Sequence, residues 1–157
     1  MKGPFKLQQK TEVLNKCVLP AMIYGAQTWT LTKKDEEKIR ITQNKMERSI
    51  LGIKLKDKIK LKEIKRRLGQ ETDFIATARG IKRDWVGHVA RMKSDRWVYK
   101  ISNWYIKEGR RKGKQKKRWD NDIVGMLGNK LYHRVAWDRR EWKRLREAFA
   151  QGQICNI

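Results

Sequence analysis

A chain of 157 residues suits one domain or two small helical subdomains. Its 40 Lys and Arg against 17 Asp and Glu give a formal net charge of +23, which calls for a polyanionic partner, nucleic acid before an anionic membrane surface. Seven tryptophans spread from Trp29 to Trp142 exclude a wholly disordered basic tail, and two cysteines exclude a disulfide framework.

No apolar leader follows Met1, and no apolar run approaches the ~20 residues of a membrane span. Most segments then read as helices. Leu7, Leu14, Cys17, Val18, Ala21 and Met22 fall on one face at helical spacing. Pro20 interrupts that pattern with a kink or restart, and Gly25 ends it. "TKKD" (32–35) is a capping-box pattern with Thr32 as N-cap, opening a helix with Ile39, Met46 and Ile50 inward and Gly52 as its stop. In "GIKLKDKIKLKEIKRR" (52–67), Ile53, Leu55, Ile59 and Leu61 alternate as a strand would. Leu61, Ile64 and Leu68 are spaced as a helix, with Glu63 and Arg67 as an i,i+4 pair. The favoured reading is an extended lead-in, an Asp57 cap and a short helix to Gly69.

Residues 72–92 predict a longer helix with Phe74, Ala78, Ile81, Trp85, Val89 and Met92 on one face. Gly80 and Gly87 each cost a helix ~1 kcal/mol against Ala, so close packing is expected at both. The pair of helices around Gly69–Thr72 has the outline of a helix-turn-helix. Residues 95–106 fit either a short helix carrying Trp97, Ile101 and Trp104 or a strand. Trp119, Ile123, Met126 and Leu127 define another helix. In the last one, Asp138 and Glu141 form an Asp-x-x-Glu capping box. Trp137 and Trp142 stand as a hydrophobic staple, and Leu145 and Phe149 continue the face.

No catalytic constellation is present. There is no glycine-rich phosphate loop, no Gly-x-Ser-x-Gly, no His-Glu-x-x-His and no adjacent Asp-Asp pair. His88 and His133 have no metal spacing with Cys17 and Cys155, so neither a metal nor a cofactor is expected. Asp120 and Asp122 in "WDND" are better placed to cap a helix than to share a metal.

The basic segment "GRRKGKQKKRW" (109–119) is different. Arg110, Arg111, Lys112, Lys114, Lys116, Lys117 and Arg118 lie in one short stretch between Trp104 and Trp119. Charges so placed neutralise several phosphates at once, independently of base sequence. Lys65, Arg66 and Arg67 are secondary candidates. Trp and Tyr nearby offer stacking surfaces for bases, although Trp119, at the start of an amphipathic helix, reads first as core. "KKR" also reads as an import signal.

Five pieces in order resemble the C-terminal part of the endonuclease–reverse transcriptase of non-LTR retrotransposons (LINE elements), of the RTE/BovB-like kind. They are "CVLPAMIYGAQTWTLTKKDEEKIRITQNKMERSILGI" (17–53), "DKIKLKEIKRR" (57–67), "WVGHVARM" (85–92), "RWDNDI" (118–123) and "AWDRREWKRLREAF" (136–149). The chain departs from that family's usual pattern in having Gln27 for an acid in "YGAQTW". It also lacks the Arg-Pro before "RWDND", where Asn121 replaces an Asp.

The resemblance implies a thumb and post-thumb region, without the Phe-Ala-Asp-Asp palm or the endonuclease. Such a region grips primer–template or element RNA. The implied organisation is a thumb-like helical pair (1–53), a helical middle segment (54–106), the basic loop (107–118) and a C-terminal helical pair with tail (119–157). The expected fold is mainly α, a small bundle of five to six helices with a basic loop and room for one short hairpin or extended segment. The expected function is non-catalytic binding of RNA and DNA, without membrane or small-molecule partners, in the nucleus with a cytoplasmic phase. The alternative is a domesticated or relic helical protein-interaction module that binds no nucleic acid.

Overall fold

The computed structural model describes residues 5–69, 72–104, 113, 117–127 and 132–151. Among these residues every regular element is helical, and the mainly-α expectation is met without a strand or hairpin. The elements are α1 (Leu7–Val13), a π-helical segment (Leu14–Val18), α2 (Leu19–Met22), α3 (Lys33–Leu51), α4 (Leu61–Leu68) and α5 (Phe74–Ala90). They are followed by α6 (Trp97–Ser102), α7 (Asn121–Leu127), α8 (Tyr132–Trp137), α9 (Arg139–Arg144) and α10 (Arg146–Gln151), with 3₁₀ turns at Ala26–Thr28 and Leu55–Asp57. The chain forms two compact units. The first comprises Met1–Gly25 and Leu31–Ala78, the second Ala26–Thr30 and Arg79–Ile157.

In the first unit the helix changes form and restarts at Pro20, one of the two outcomes expected there, and the change moves the buried face. Pro20 has no N–H to give to a carbonyl four residues back. The helix ahead of it widens, and the Leu19 N–H bonds the Leu14 carbonyl five residues back. Leu14, Leu19 and Ile23 are therefore buried, at spacings of five and four, while Leu7, Cys17 and Ala21 of the expected face are exposed. Gly25 ends the segment at φ +73.

The Thr32–Asp35 capping box forms as read. The Asp35 N–H donates to Thr32 Oγ1 at 3.3 Å, and the Thr32 N–H donates to Asp35 Oδ2 at 3.0 Å. Helix α3 stops at Gly52 in the left-handed region. Ile39, Met46 and Ile50 are half-buried on its inward face, and the fully buried positions of that face are Gln43 and Glu47, which the apolar pattern did not include. Gln43 Nε2 donates to Glu47 Oε1 and to the Thr72 carbonyl, both at 2.8 Å, while its Oε1 accepts the Phe74 N–H at 3.0 Å. One amide thus satisfies the backbone entering α5, which explains a polar residue in a core position.

Asp57 caps the preceding turn rather than α4, accepting the Lys54 N–H at 2.8 Å. The N-cap of α4 is Lys60, without a side-chain bond. Ile64 and Leu68 of α4 and Phe74, Ile75 and Ala78 of α5 are buried. Asp73 Oδ1 accepts the Ile75 and Ala76 N–H groups at the head of α5.

The second unit buries Val86, Ala90, Ile123, Leu127, Tyr132, Ala136, Trp142 and Phe149 as one cluster. Gly87 is packed as expected: a Cβ there would stand 2.8 Å from Cδ1 of Trp142 and nearer still to its Nε1. Gly80 is not, since nothing lies within 4 Å of the corresponding position. Residues 97–102, left open between helix and strand, are helical. The expected last helix is two, α9 and α10, parted at Leu145. Asp138 caps α9, accepting from the Arg140 N–H at 2.8 Å and the Glu141 N–H at 3.3 Å. The reciprocal half of the box is absent because Glu141 pairs with Arg144 at 2.6 Å. The staple also fails: Trp142 is buried while Trp137 is 65 % exposed.

Candidate nucleic-acid interface

Of the basic loop, Lys117 and Arg118 are described and both are exposed. Arg110, Arg111, Lys112, Lys114 and Lys116 lie outside the described residues. Arg118 Nη2 donates to the Trp104 carbonyl at 3.3 Å. The loop's two aromatic ends play different parts. Trp119 is half-buried against the second unit's core and donates from Nε1 to the Gln27 carbonyl at 2.7 Å. It is a structural anchor, in line with its reading as core.

Trp104 belongs to an exposed face of α6 and the residues after it. Trp97 is 77 %, Ile101 69 % and Trp104 65 % exposed. Trp97 and Ile101, four residues apart, lie on one side of α6, and Trp104 follows beyond its end at Ser102. Lys100 Nζ stands 5.5 Å over the Trp97 ring, a cation–π geometry. A cavity of about 250 Å³ opens beside Ile101, Trp104 and Arg118. The helical spacing was legible in the sequence. The exposure was not, because an apolar stripe ordinarily predicts burial.

The secondary candidates meet on the last turn of α4, in the first unit. Arg66 donates from Nε and Nη2, and Arg67 from Nε, to the Glu63 carboxylate, each at 2.8 Å. Those hydrogen bonds hold the Glu63 carboxyl down to about 2 from 4.5. The pairing also raises the Arg66 guanidinium further. Part of this cluster's charge is therefore spent internally, and the half-buried Lys65 completes it.

Lys82, which the sequence reading passed over, is a buried cation. Its Nζ donates to the Trp29 carbonyl at 2.7 Å and to both Asp122 oxygens at 2.8 and 3.0 Å. It also stands 5.5 Å over the Trp119 ring. Burial pushes the ammonium below its ordinary range, and Asp122 opposes that shift. Asp122 also accepts the Ile123 N–H at 3.1 Å. It therefore stands as an acid in the first turn of α7 rather than as its cap, and it forms an ion pair that was not expected. This knot is why "AQTWT" (26–30) belongs to the second unit: two of its carbonyls are tied to Lys82 and Trp119. No sequence signal separates Lys82 from the chain's other basic residues.

Among the described residues no group of three or more His, Cys, Asp or Glu gathers as a metal site would require. His88 is exposed, with its ring 5.5 Å from that of Trp85. His133 stacks on Tyr132 at 4.0 Å, and burial pushes its imidazole below the usual range. Among the described residues no helix is long and apolar enough to cross a membrane.

The chain is 29 % identical over 145 residues to an uncharacterized transposon-derived protein of Caenorhabditis elegans. The match covers 85 % of this chain and 52 % of that protein, so the chain spans about half the length of this relative. No protein-family profile and no solved structure matches it. The similarity relates the chain to mobile-element sequence.

Proposed function

We propose that the chain is a non-catalytic nucleic-acid-binding module from the thumb and post-thumb region of a non-LTR retrotransposon reverse transcriptase. It grips primer–template or element RNA, and it works in the nucleus. The observation that carries the reading is the exposed Trp97–Ile101–Trp104 face with Lys100 and Arg118 beside it, on a chain of net charge +23. Large aromatic rings left in water beside cations are what single strands use: bases stack and phosphates pair. The ordered resemblance and the transposon-derived relative support the same origin. The absence of a palm motif from the sequence supports a non-catalytic role for this chain. The seven cations of 110–118 supply sequence-independent affinity, and Lys65, Arg66 and Arg67 a second contact.

The test is binding of a labelled single-stranded oligonucleotide by Trp97→Ala and Trp104→Ala. Both side chains are mostly exposed, so the fold is expected to survive. Stacking is worth roughly 1–3 kcal/mol per base, so each variant should lose roughly 5- to 150-fold in affinity. Unchanged affinity would sink the stacking role. A docking module without nucleic-acid binding, which the same exposed apolar face also suits, would show no oligonucleotide binding at any salt concentration.

A further inference from the structure

A second cationic cluster is built from "WVGHVARM" (85–92), the residues just before it, and "AWDRREWKRLREAF" (136–149). A cavity of about 400 Å³ is lined by Arg83 of α5, Arg91 just after its end, Arg139 and Lys143 of α9, and Arg146 of α10, with Asp84 as the carboxylate among them. Five cations face one acid. Arg83 is 2 % exposed, its guanidinium 5.2 Å over the Trp142 ring. Its Nη1 donates to Asp84 Oδ1 at 2.5 Å, while Nε and Nη2 are buried and have no acceptor. A buried, unpaired guanidinium edge is costly.

Asp84 does not neutralise the rest. Its other contact is a loose one, 4.0 Å from Arg146. Arg91 donates to the Ala136 carbonyl, which fixes the guanidinium without compensating its charge. Burial lowers the Arg83 guanidinium from its usual range, Asp84 opposes this, and Arg146 and Arg91 lower it further. Arg91 is lowered by burial and by Arg139. These cations repel one another in a partly desolvated place, and an anion among them would turn that repulsion into attraction.

We propose that this cavity is a phosphate-binding site, with Arg83 as its floor. Nε and Nη2 form the side-on edge of a guanidinium, the two parallel donors that take an oxyanion bidentately. Arg139, Lys143 and Arg146 close over the remaining oxygens. A phosphate carries enough acceptors for several such donors at once, where a carboxylate carries two oxygens. The site deepens the nucleic-acid reading, because a backbone phosphate is one source of the ligand. A free or terminal phosphate is the other.

The experiment follows the Arg83 Nε–H resonance by NMR while inorganic phosphate replaces chloride at constant ionic strength. Arg83→Lys identifies the signal. The expected result is a saturable shift that acetate does not reproduce. The double variant Lys143→Gln/Arg146→Gln should weaken the phosphate response at least tenfold while leaving the far-UV spectrum unchanged. An Nε–H signal that phosphate and acetate move equally, or that phosphate does not move, overturns the proposal. So does a double variant that binds phosphate as the parent does.

A short oligonucleotide without terminal phosphates separates the sources. If it shifts the same resonance, the backbone is the ligand. If only inorganic phosphate does, the site takes free or terminal phosphate. Either outcome supports the pocket. Trp97→Ala and Trp104→Ala should leave the phosphate response intact, so failure of the stacking face and failure of this site are read apart.

Discussion

Two glycines on one helix should respond oppositely to the same substitution. At Gly80 the space around a new Cβ is open, so Gly80→Ala gains helix propensity of ~1 kcal/mol. At Gly87 the same methyl would stand 2.8 Å from Cδ1 and 3.0 Å from Cε2 of Trp142. That indole has little room to yield. It is 4 % exposed, its ring centroid is 5.5 Å from that of Phe149, Arg83 covers it, and its Nε1 donates to the Arg83 carbonyl at 3.3 Å. Overpacking costs ~1–3 kcal/mol, and displacing the indole forfeits a hydrogen bond worth ~1 kcal/mol. Against a propensity gain of ~1 kcal/mol, Gly87→Ala is expected to destabilise by about 1–3 kcal/mol. The two variants should therefore differ by roughly 2–4 kcal/mol. At ~2–4 °C per kcal/mol for a chain of this size, their thermal midpoints should lie roughly 5–15 °C apart. Thermal unfolding followed by circular dichroism measures this. Equal midpoints, or Gly87→Ala melting above the parent, would refute the close approach of α5 and Trp142.

Asp122→Asn should destabilise the second unit by ~3 kcal/mol, the low end for breaking a buried pair, because Lys82 is 5 % exposed, Asp122 22 %, and Lys82 keeps the Trp29 carbonyl. The double variant Lys82→Met/Asp122→Leu should lose less than Asp122→Asn alone in urea unfolding; a larger loss would contradict the ion-pair account. Glu63 should titrate near 2 by carboxyl NMR, against an ordinary 4.5. Because the folded pKa is depressed, its stabilising effect is complete above 4.5 and disappears as pH falls through about 2. The group is solvent-accessible, so 1 M salt should move the midpoint back toward 4.5; an unmoved midpoint would argue against an ion-pair origin.

The parts of this fold that were legible in the sequence are those set by local chemistry. Thr32 and Asp35 satisfy each other's backbone donors, Gly52 and Gly69 take left-handed conformations, and Asp138 caps α9. None of these needs a distant partner. The misreadings have non-local or cooperative causes. Pro20 announced a kink, but whether the helix restarts or widens into a π turn depends on where Leu19 finds a carbonyl. Nothing local marks Gln43 as buried, because the Thr72 carbonyl and Phe74 N–H that it serves lie 29 and 31 residues away. Gly80 and Gly87 look alike in the sequence, and only the placement of Trp142 tells them apart.

The same division holds for the candidate sites. A run such as residues 110–118 is visible because its charges are contiguous. Lys82 and Arg83 are adjacent cations within a chain rich in them, yet one is neutralised by Asp122 and the other keeps an unpaired edge beside four more cations. That difference comes from folding segments about 40 to 60 residues apart onto α5, and no local pattern carries it.

The central claim, that this charge serves nucleic acid, is tested most directly by a salt titration of binding to a labelled RNA–DNA primer–template, with plain duplex DNA alongside. The account predicts measurable affinity that falls steeply with salt. Replacing the seven basic residues of 110–118 by Gln should then flatten the slope of log K against log salt by up to about six. A folded chain that binds neither ligand at low salt, or a slope unchanged by the replacement, would contradict it.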